Sequence, residues 1–310
     1  MAPPTTPTDS KLFFTKDDAT DPRFGEFVKN IKTPEQISIL SYPDDQGVIN
    51  NGGRPGAKDG PDRVKKFFYK MTPPLKSQNE LSFYDYGNLV ITKNVLENHQ
   101  QAFKLCSNSL KDSVKTISLG GGHDYGYPDA KAFLQHFKNC KTKPVIINFD
   151  AHLDVREVTE NISSGTPFYR TLEDNYDFHF FQIGIQNFCN SKKHFNYCLE
   201  KGVKVITQDE ISMSNKGLCD YLWPQLEHLQ GSPLFISIDI DGFSSSFAPG
   251  CSQSWPTGIT PHEFLTLFTR LNKNFKTKLL GIYEVAPNLD NNDITSKLAA
   301  QIMYSFVSSN

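Results

Sequence analysis

Eight short apolar or alternating runs, separated by segments of helical spacing, constrain the fold of this chain more than any other feature. They span residues 36–40, 81–90, 114–119, 144–149, 178–184, 203–207, 233–238 and 279–285. Some are apolar throughout, such as Pro144-Val145-Ile146-Ile147, the pattern of a strand buried on both faces. Between them, residues 61–71, 94–110, 129–137, 209–229 and 261–272 place apolar side chains at helical intervals, and Pro61 and Pro261 suit a first helical turn. Strand alternating with helix predicts an α/β fold in three layers, α-β-α: a parallel sheet of about eight strands with helices on both faces. No repeat or linker divides residues 1–310, so a single domain is expected, with the Pro- and Thr-rich residues 1–10 as a mobile tail.

Three of the runs end in chemistry-bearing residues. After residues 144–147 comes Asn148-Phe149-Asp150-Ala151-His152-Leu153-Asp154, and alternate positions of an extended segment point the same way. Asp150, His152 and Asp154 are therefore expected to converge, which is costly without a cation between them. Phe235-Ile236-Ser237-Ile238-Asp239-Ile240-Asp241 ends in two more carboxylates, and Gly120-Gly121-Gly122-His123-Asp124 turns tightly after residues 114–119 to present His123. All three lie at the carboxyl ends of predicted strands, where open α/β sheets build their sites.

Asp150, Asp154, Asp239 and Asp241 bring four negative charges, which two divalent ions cancel and one does not. The site therefore reads as binuclear. Mixed carboxylate and imidazole ligation without thiolate suits Mn²⁺, while Zn²⁺, Ni²⁺ and Fe²⁺ stay chemically open. Two such ions hold a bridging hydroxide near neutral pH, so hydrolysis is the implied chemistry.

In order, Gly-Gly-Gly-His-Asp, Asp-Ala-His-Leu-Asp, Ser-Ile-Asp-Ile-Asp and Tyr283-Glu284-Val285-Ala286-Pro287 resemble the ureohydrolases, the family of arginase, agmatinase and formimidoylglutamase, from about Gly47 onward. The resemblance implies that His123, Asp150, Asp154 and Asp239 hold one Mn²⁺ and that Asp150, His152, Asp239 and Asp241 hold the other, with Asp150 and Asp239 bridging. The motifs Asn51–Ala57, Asp154-Val155-Arg156 and Ser163–Phe168 look most like formimidoylglutamase, which splits N-formimidoyl-L-glutamate into L-glutamate and formamide in histidine degradation. Arginases carry asparagine where Arg156 stands, in contact with the substrate carboxylate. Arginine there offers a bidentate, permanently charged partner to an anionic amidine substrate. Ser164 aligns with a serine that touches the same carboxylate, and Thr166 belongs to the same stretch. Phe168 replaces the proton-shuttle histidine of arginases.

The mechanism expected from this set is attack of a metal-bridging hydroxide on the amidine carbon. Asp154 moves its proton to the leaving nitrogen and Glu284 holds the amidinium. The alternatives are a guanidino-compound ureohydrolase releasing urea and a non-catalytic, metal-stabilised relative. Residues 47–60 read as irregular, either a lid with Arg54 facing the substrate or a connector. His99, His136, His179, His194, His228 and His262 show no ligand spacing and read as surface or core residues, and Arg170 as a solvated arginine opening a helix.

Composition narrows the partners to small molecules. A net charge of −2 leaves no basic stripe for nucleic acid, and no run approaches a membrane span. Gly120, Gly122 and Gly126 do not form a nucleotide loop. Six scattered cysteines without a C-x-x-C pair read as free thiols, which makes the cytoplasm the expected compartment. The resemblance also allows a homo-oligomer.

Overall fold

A computed structural model describes residues 3–16, 18–75 and 81–309. Among the described residues, nine strands form one sheet: β1 (Thr5–Thr6), β2 (Ile37–Ser41), β3 (Phe83–Leu89), β4 (Lys115–Leu119), β5 (Val145–Phe149), β6 (His179–Ile185), β7 (Lys204–Thr207), β8 (Pro233–Asp239) and β9 (Lys276–Tyr283). Their spatial order is β1-β3-β2-β4-β9-β8-β5-β6-β7. Strands β2 to β9 are parallel, and each coincides with one of the eight predicted runs.

Alternation along the central strands supplies both faces. Ile147, Ile236 and Leu280 join one core with Phe264, Leu267, Phe268, Met303 and Phe306, while Ile146, Phe235 and Leu279 join the other with Leu105, Phe133 and Phe168. The first face is covered by α2 (Gly60–Phe68), α8 (Gly217–Leu226), α9 (Pro261–Asn274) and α10 (Ile294–Ser308). The second is covered by α3 (Val95–Asp112), α4 (Gly126–His136), α5 (Pro167–Glu173) and α6 (Lys192–Glu200). Among the described residues there are two further short α-helices, α1 (Gln46–Asn50) and α7 (Gln208–Met213). Among the described residues, no helix is long and apolar enough to cross a membrane.

Three expectations need correction. The helix read over 209–229 is two, α7 and α8, because Asn215 and Gly217 take left-handed backbone angles (φ 55° and 66°) that no helix continues. The stretch 47–60 is partly helical, holding all of α1 but its first residue and a 3₁₀ turn at Ala57–Asp59. The N-terminal segment is pinned rather than free from Pro4 to Thr8, while Met1 and Ala2 lie outside the described residues. Thr5 and Thr6 pair antiparallel with Leu89 and Asn88. The Thr8 hydroxyl donates to Asp85 and accepts from Lys65 Nζ at 2.7 Å. Lys65 is fully buried and pairs with Asp85 at 3.0 Å, so this strap seals an ion pair that needs every available partner.

Candidate metal centre

Four neighbouring strands at the middle of the sheet, β4, β9, β8 and β5, deliver one cluster from their carboxyl ends. The turn after β4 carries His123, and Gly120–Gly122 let it pack closely. A Cβ on Gly120 would lie 2.2 Å from the Tyr283 ring, and one on Gly121 would lie 1.8 Å from the Asp44 carbonyl oxygen. Asp150, His152 and Asp154 follow β5. Asp239 ends β8, and Asp241 stands in the 3₁₀ turn beyond it.

Ligand atoms of His123, Asp150, Asp154 and Asp239 lie within 4.8 Å of one another, as do those of Asp150, His152 and Asp241. Asp150 belongs to both groups. Asp239, expected in both, falls only in the first. The convergence of Asp150, His152 and Asp154 does not come from a continuing strand, since β5 stops at Phe149 and Asp154 adopts φ 48°. A left-handed aspartate costs roughly 1–2 kcal/mol, which the surrounding fold sustains at this position.

The donor set suits a cation. His123 Nδ1 sits 3.1, 3.0 and 3.3 Å from carboxylate oxygens of Asp150, Asp154 and Asp239. Yet it is buried without a hydrogen-bond partner, while Nε2 lies 3.0 Å from the Ser237 hydroxyl. An imidazole lone pair facing three carboxylates needs a positive charge between them. His152 Nδ1 likewise sits 3.0 Å from Asp241.

The electrostatics express the same need. Burial opposes charge on His123, but Asp150, Asp154 and Asp239 win and push it well above the ordinary histidine value. Burial followed by the Asp150 charge pushes the Asp154 carboxyl up to about 6. Burial and neighbouring carboxylates also raise Asp239, Asp241 and Glu284. Burial acts to raise Asp150 too, but His123 and His152 hold it below the usual carboxylate range. Without cations, protons must take up part of the charge.

Several supporting residues were not assigned from sequence. Ser237 holds His123 Nε2, and Asn148 donates to Asp150 at 3.1 Å and to Gln182 at 2.9 Å. Each lies two positions before an aspartate of the cluster, so the alternation that singled out Asp239 and Asp150 also marked them. Tyr283 stacks on His123 with ring centroids 4.9 Å apart and donates to the buried Asp129. Phe168 closes the other side of His123 edge-on at 5.3 Å.

A cavity of about 250 Å³ opens beside the cluster, lined by His152, Asp154, Asp239, Asp241 and Glu284 and, further out, by Arg156, Ser164 and Asn51. Glu284, at φ 65°, accepts from the His123 backbone N–H at 3.0 Å. The Ser164 hydroxyl accepts from Asn51 at 3.2 Å. Cys189 and His194 also line the cavity, although neither shows ligand spacing in the sequence.

Two predicted substrate contacts point elsewhere. The Arg54 guanidinium donates to the carbonyls of Cys251 and Ser252, tying its loop to theirs. The Thr166 hydroxyl is spent on the Ser163 carbonyl at 2.7 Å.

A model of the arginase family matches residues 35–308. The chain belongs to the arginase family. Among family members it is 31% identical over 272 residues to a formimidoylglutamase of Staphylococcus carnosus, covering 87% of this chain and 85% of that protein. The Staphylococcus aureus (strain MRSA252) formimidoylglutamase is 32% identical over 277 residues, 89% of this chain and 86% of its own. Among solved structures, a Trypanosoma cruzi formiminoglutamase with Mn²⁺ superposes with a TM-score of 0.83 at 26% identity, covering 93% of this chain and 98% of that one. The Bacillus subtilis formimidoylglutamase gives 0.83 at 25%, covering 96% and 94%.

Proposed function

We propose that this chain, a hydrolase of linear amidine C–N bonds, cleaves N-formimidoyl-L-glutamate to L-glutamate and formamide. The observation that carries the reading is the pair of overlapping ligand groups beside a cavity whose outer wall holds Arg156 and Ser164. The names of the relatives agree with it.

His123, Asp150, Asp154 and Asp239 would hold one Mn²⁺, and Asp150, His152 and Asp241 the other, with Asp239 beside both. Two bound ions supply a water activated as nucleophile near neutral pH and stabilise the charge that develops as it attacks. Asp154 lines the cavity at the edge of the first group, so its carboxylate takes the proton of the attacking water and passes it to the departing nitrogen. Glu284 has one oxygen on the His123 N–H. The other is available to hold the amidinium, whose positive charge a buried carboxylate favours and orients. Arg156 is exposed at the outer wall, with its chain laid across Gly165 and its backbone N–H bonded to the Gly165 carbonyl at 2.8 Å. Its guanidinium pairs with a carboxylate of the glutamate portion, a contact for which lysine is a poor substitute.

The test is parallel incubation of Mn²⁺-loaded protein with formimidoylglutamate, arginine, agmatine and guanidinobutyrate. Formamide and glutamate from the first substrate are expected. Urea from any of the others, with formimidoylglutamate inert, would overturn the assignment.

A further inference from the structure

We propose that Asp124, His99 and Arg170 form a positioning relay that fixes the turn carrying His123 and thereby sets the affinity of the centre for its metal. The inference rests on the metal-centre reading above.

Asp124 follows His123 but belongs to neither ligand group. Its side chain is fully buried, with Oδ2 2.7 Å from His99 Nε2. On the far side of that ring, Arg170 Nη1 lies 2.8 Å from His99 Nδ1. A guanidinium only donates, so Nδ1 accepts and bears no proton; the ring proton is on Nε2 and goes to Asp124. The relay therefore has one polarity, from Arg170 through His99 to Asp124. Arg170 is set in place by Tyr127, whose ring lies 3.7 Å beneath the guanidinium. Both face a small cleft of about 170 Å³ that shares no lining residue with the cavity beside the ligand cluster.

Two consequences bear on the centre. A buried anion one residue from His123 adds to the repulsion of a site already holding four aspartates. The relay answers it with a cation held one imidazole away, outside the ligand groups. Asp124 Oδ1, buried without a hydrogen-bond partner, packs directly against the neighbouring backbone: a Cβ on Gly47 or Gly122 would lie 2.1 or 2.4 Å from it. The Gly47 carbonyl accepts from the Ser164 N–H at 2.9 Å, so the carboxylate packs against the turn that holds the Asn51–Ser164 wall. Four elements meet on it: α1, α3, α5 through Arg170, and the His123 turn.

The test is Mn²⁺ titration of metal-free protein, followed by the electron paramagnetic resonance signal of free Mn²⁺, with melting recorded for each variant. Glutamine reproduces the acceptor–donor order of this imidazole, so His99→Gln should bind Mn²⁺ within about threefold of wild type. His99→Leu should lose about tenfold or more, the cost of removing an outer support of a metal site. If His99→Leu does not fold, Arg170→Leu at the outer end of the relay carries the same expectation. Wild-type affinity in a cooperatively melting leucine variant, or glutamine behaving as badly as leucine, would overturn the relay. A wild-type protein that binds no Mn²⁺ would instead overturn the metal centre, and the relay's role with it.

Discussion

Removing the metal should make this protein's stability fall as pH rises across the acidic range, and Asp154 sets the scale. In the metal-free protein its carboxyl is raised from 3.8 to about 6 by burial and the Asp150 charge. A carboxyl raised on folding favours the folded state fully below its unfolded value, and that advantage is lost as pH climbs through the folded value. At 1.36 kcal/mol per unit, the whole loss, from below pH 3 to above pH 7, is about 3 kcal/mol. Asp239, Asp241 and Glu284 are raised too and act in the same direction. Asp150 is lowered, so its contribution is already complete above its unfolded value and does not offset them. With a melting entropy near 2.1 cal/mol/K per residue over 310 residues, about 3 kcal/mol corresponds to a Tm drop of roughly 5 °C. Bound Mn²⁺ removes the repulsion, so the gap in Tm between loaded and chelated protein should widen by about 2 °C from Asp154 alone between pH 5 and pH 7.5 in scanning calorimetry, with the other raised carboxyls adding to it. Metal-free Asp154→Asn should show a shallower slope. A gap that stays constant with pH would refute the electrostatic account of the cluster.

Ser237→Ala leaves His123 Nε2 without its buried partner and should weaken Mn²⁺ binding about 10- to 100-fold by titration; unchanged affinity would mean the hydroxyl does not orient the ring. Arg156→Gln should raise KM for formimidoylglutamate about tenfold or more while kcat stays within about threefold, and steady-state kinetics showing the reverse would place Arg156 in the chemical step. Lys65→Met strands the buried Asp85 carboxylate and should cost about 3 kcal/mol, read in urea unfolding; an unshifted midpoint would show that Thr8 and Tyr69 suffice to hold it.

The central strands were legible because burial on both faces favours apolar side chains, so Val145–Ile147 and Leu234–Ile236 read as apolar runs, followed by the buried Asn148 and Ser237 and then by the aspartates. The C-terminal helix was harder. Residues 294–308 pack against both α2 and α9, so their apolar side chains run around the helix instead of along one stripe. The charged ends of the β5 and β8 segments were legible as a group, whereas their exact geometry was not, because Asp154 reaches the cluster through a left-handed turn and not through strand alternation. Partners distant in sequence left no local trace. Arg54 meets carbonyls 197 and 198 residues away, and His99 meets a carboxylate 25 residues on. From the sequence Arg54 reads as a substrate contact and His99 as a surface or core residue, and neither partner shows until the chain folds.

The strap over Lys65 reaches further than its two paired residues. Lys65 sits in α2, and the first residue of that helix, Gly60, lies so close to the Val285 carbonyl that a Cβ there would come within 2.3 Å of the oxygen. Val285 adjoins Glu284, so a rigid rod connects the chain's leading segment to the floor of the catalytic pocket. Anyone trimming a disordered-looking Pro-Thr leader, or fusing a tag where Thr8 must dock, is therefore tampering with the scaffolding behind the Glu284 carboxylate.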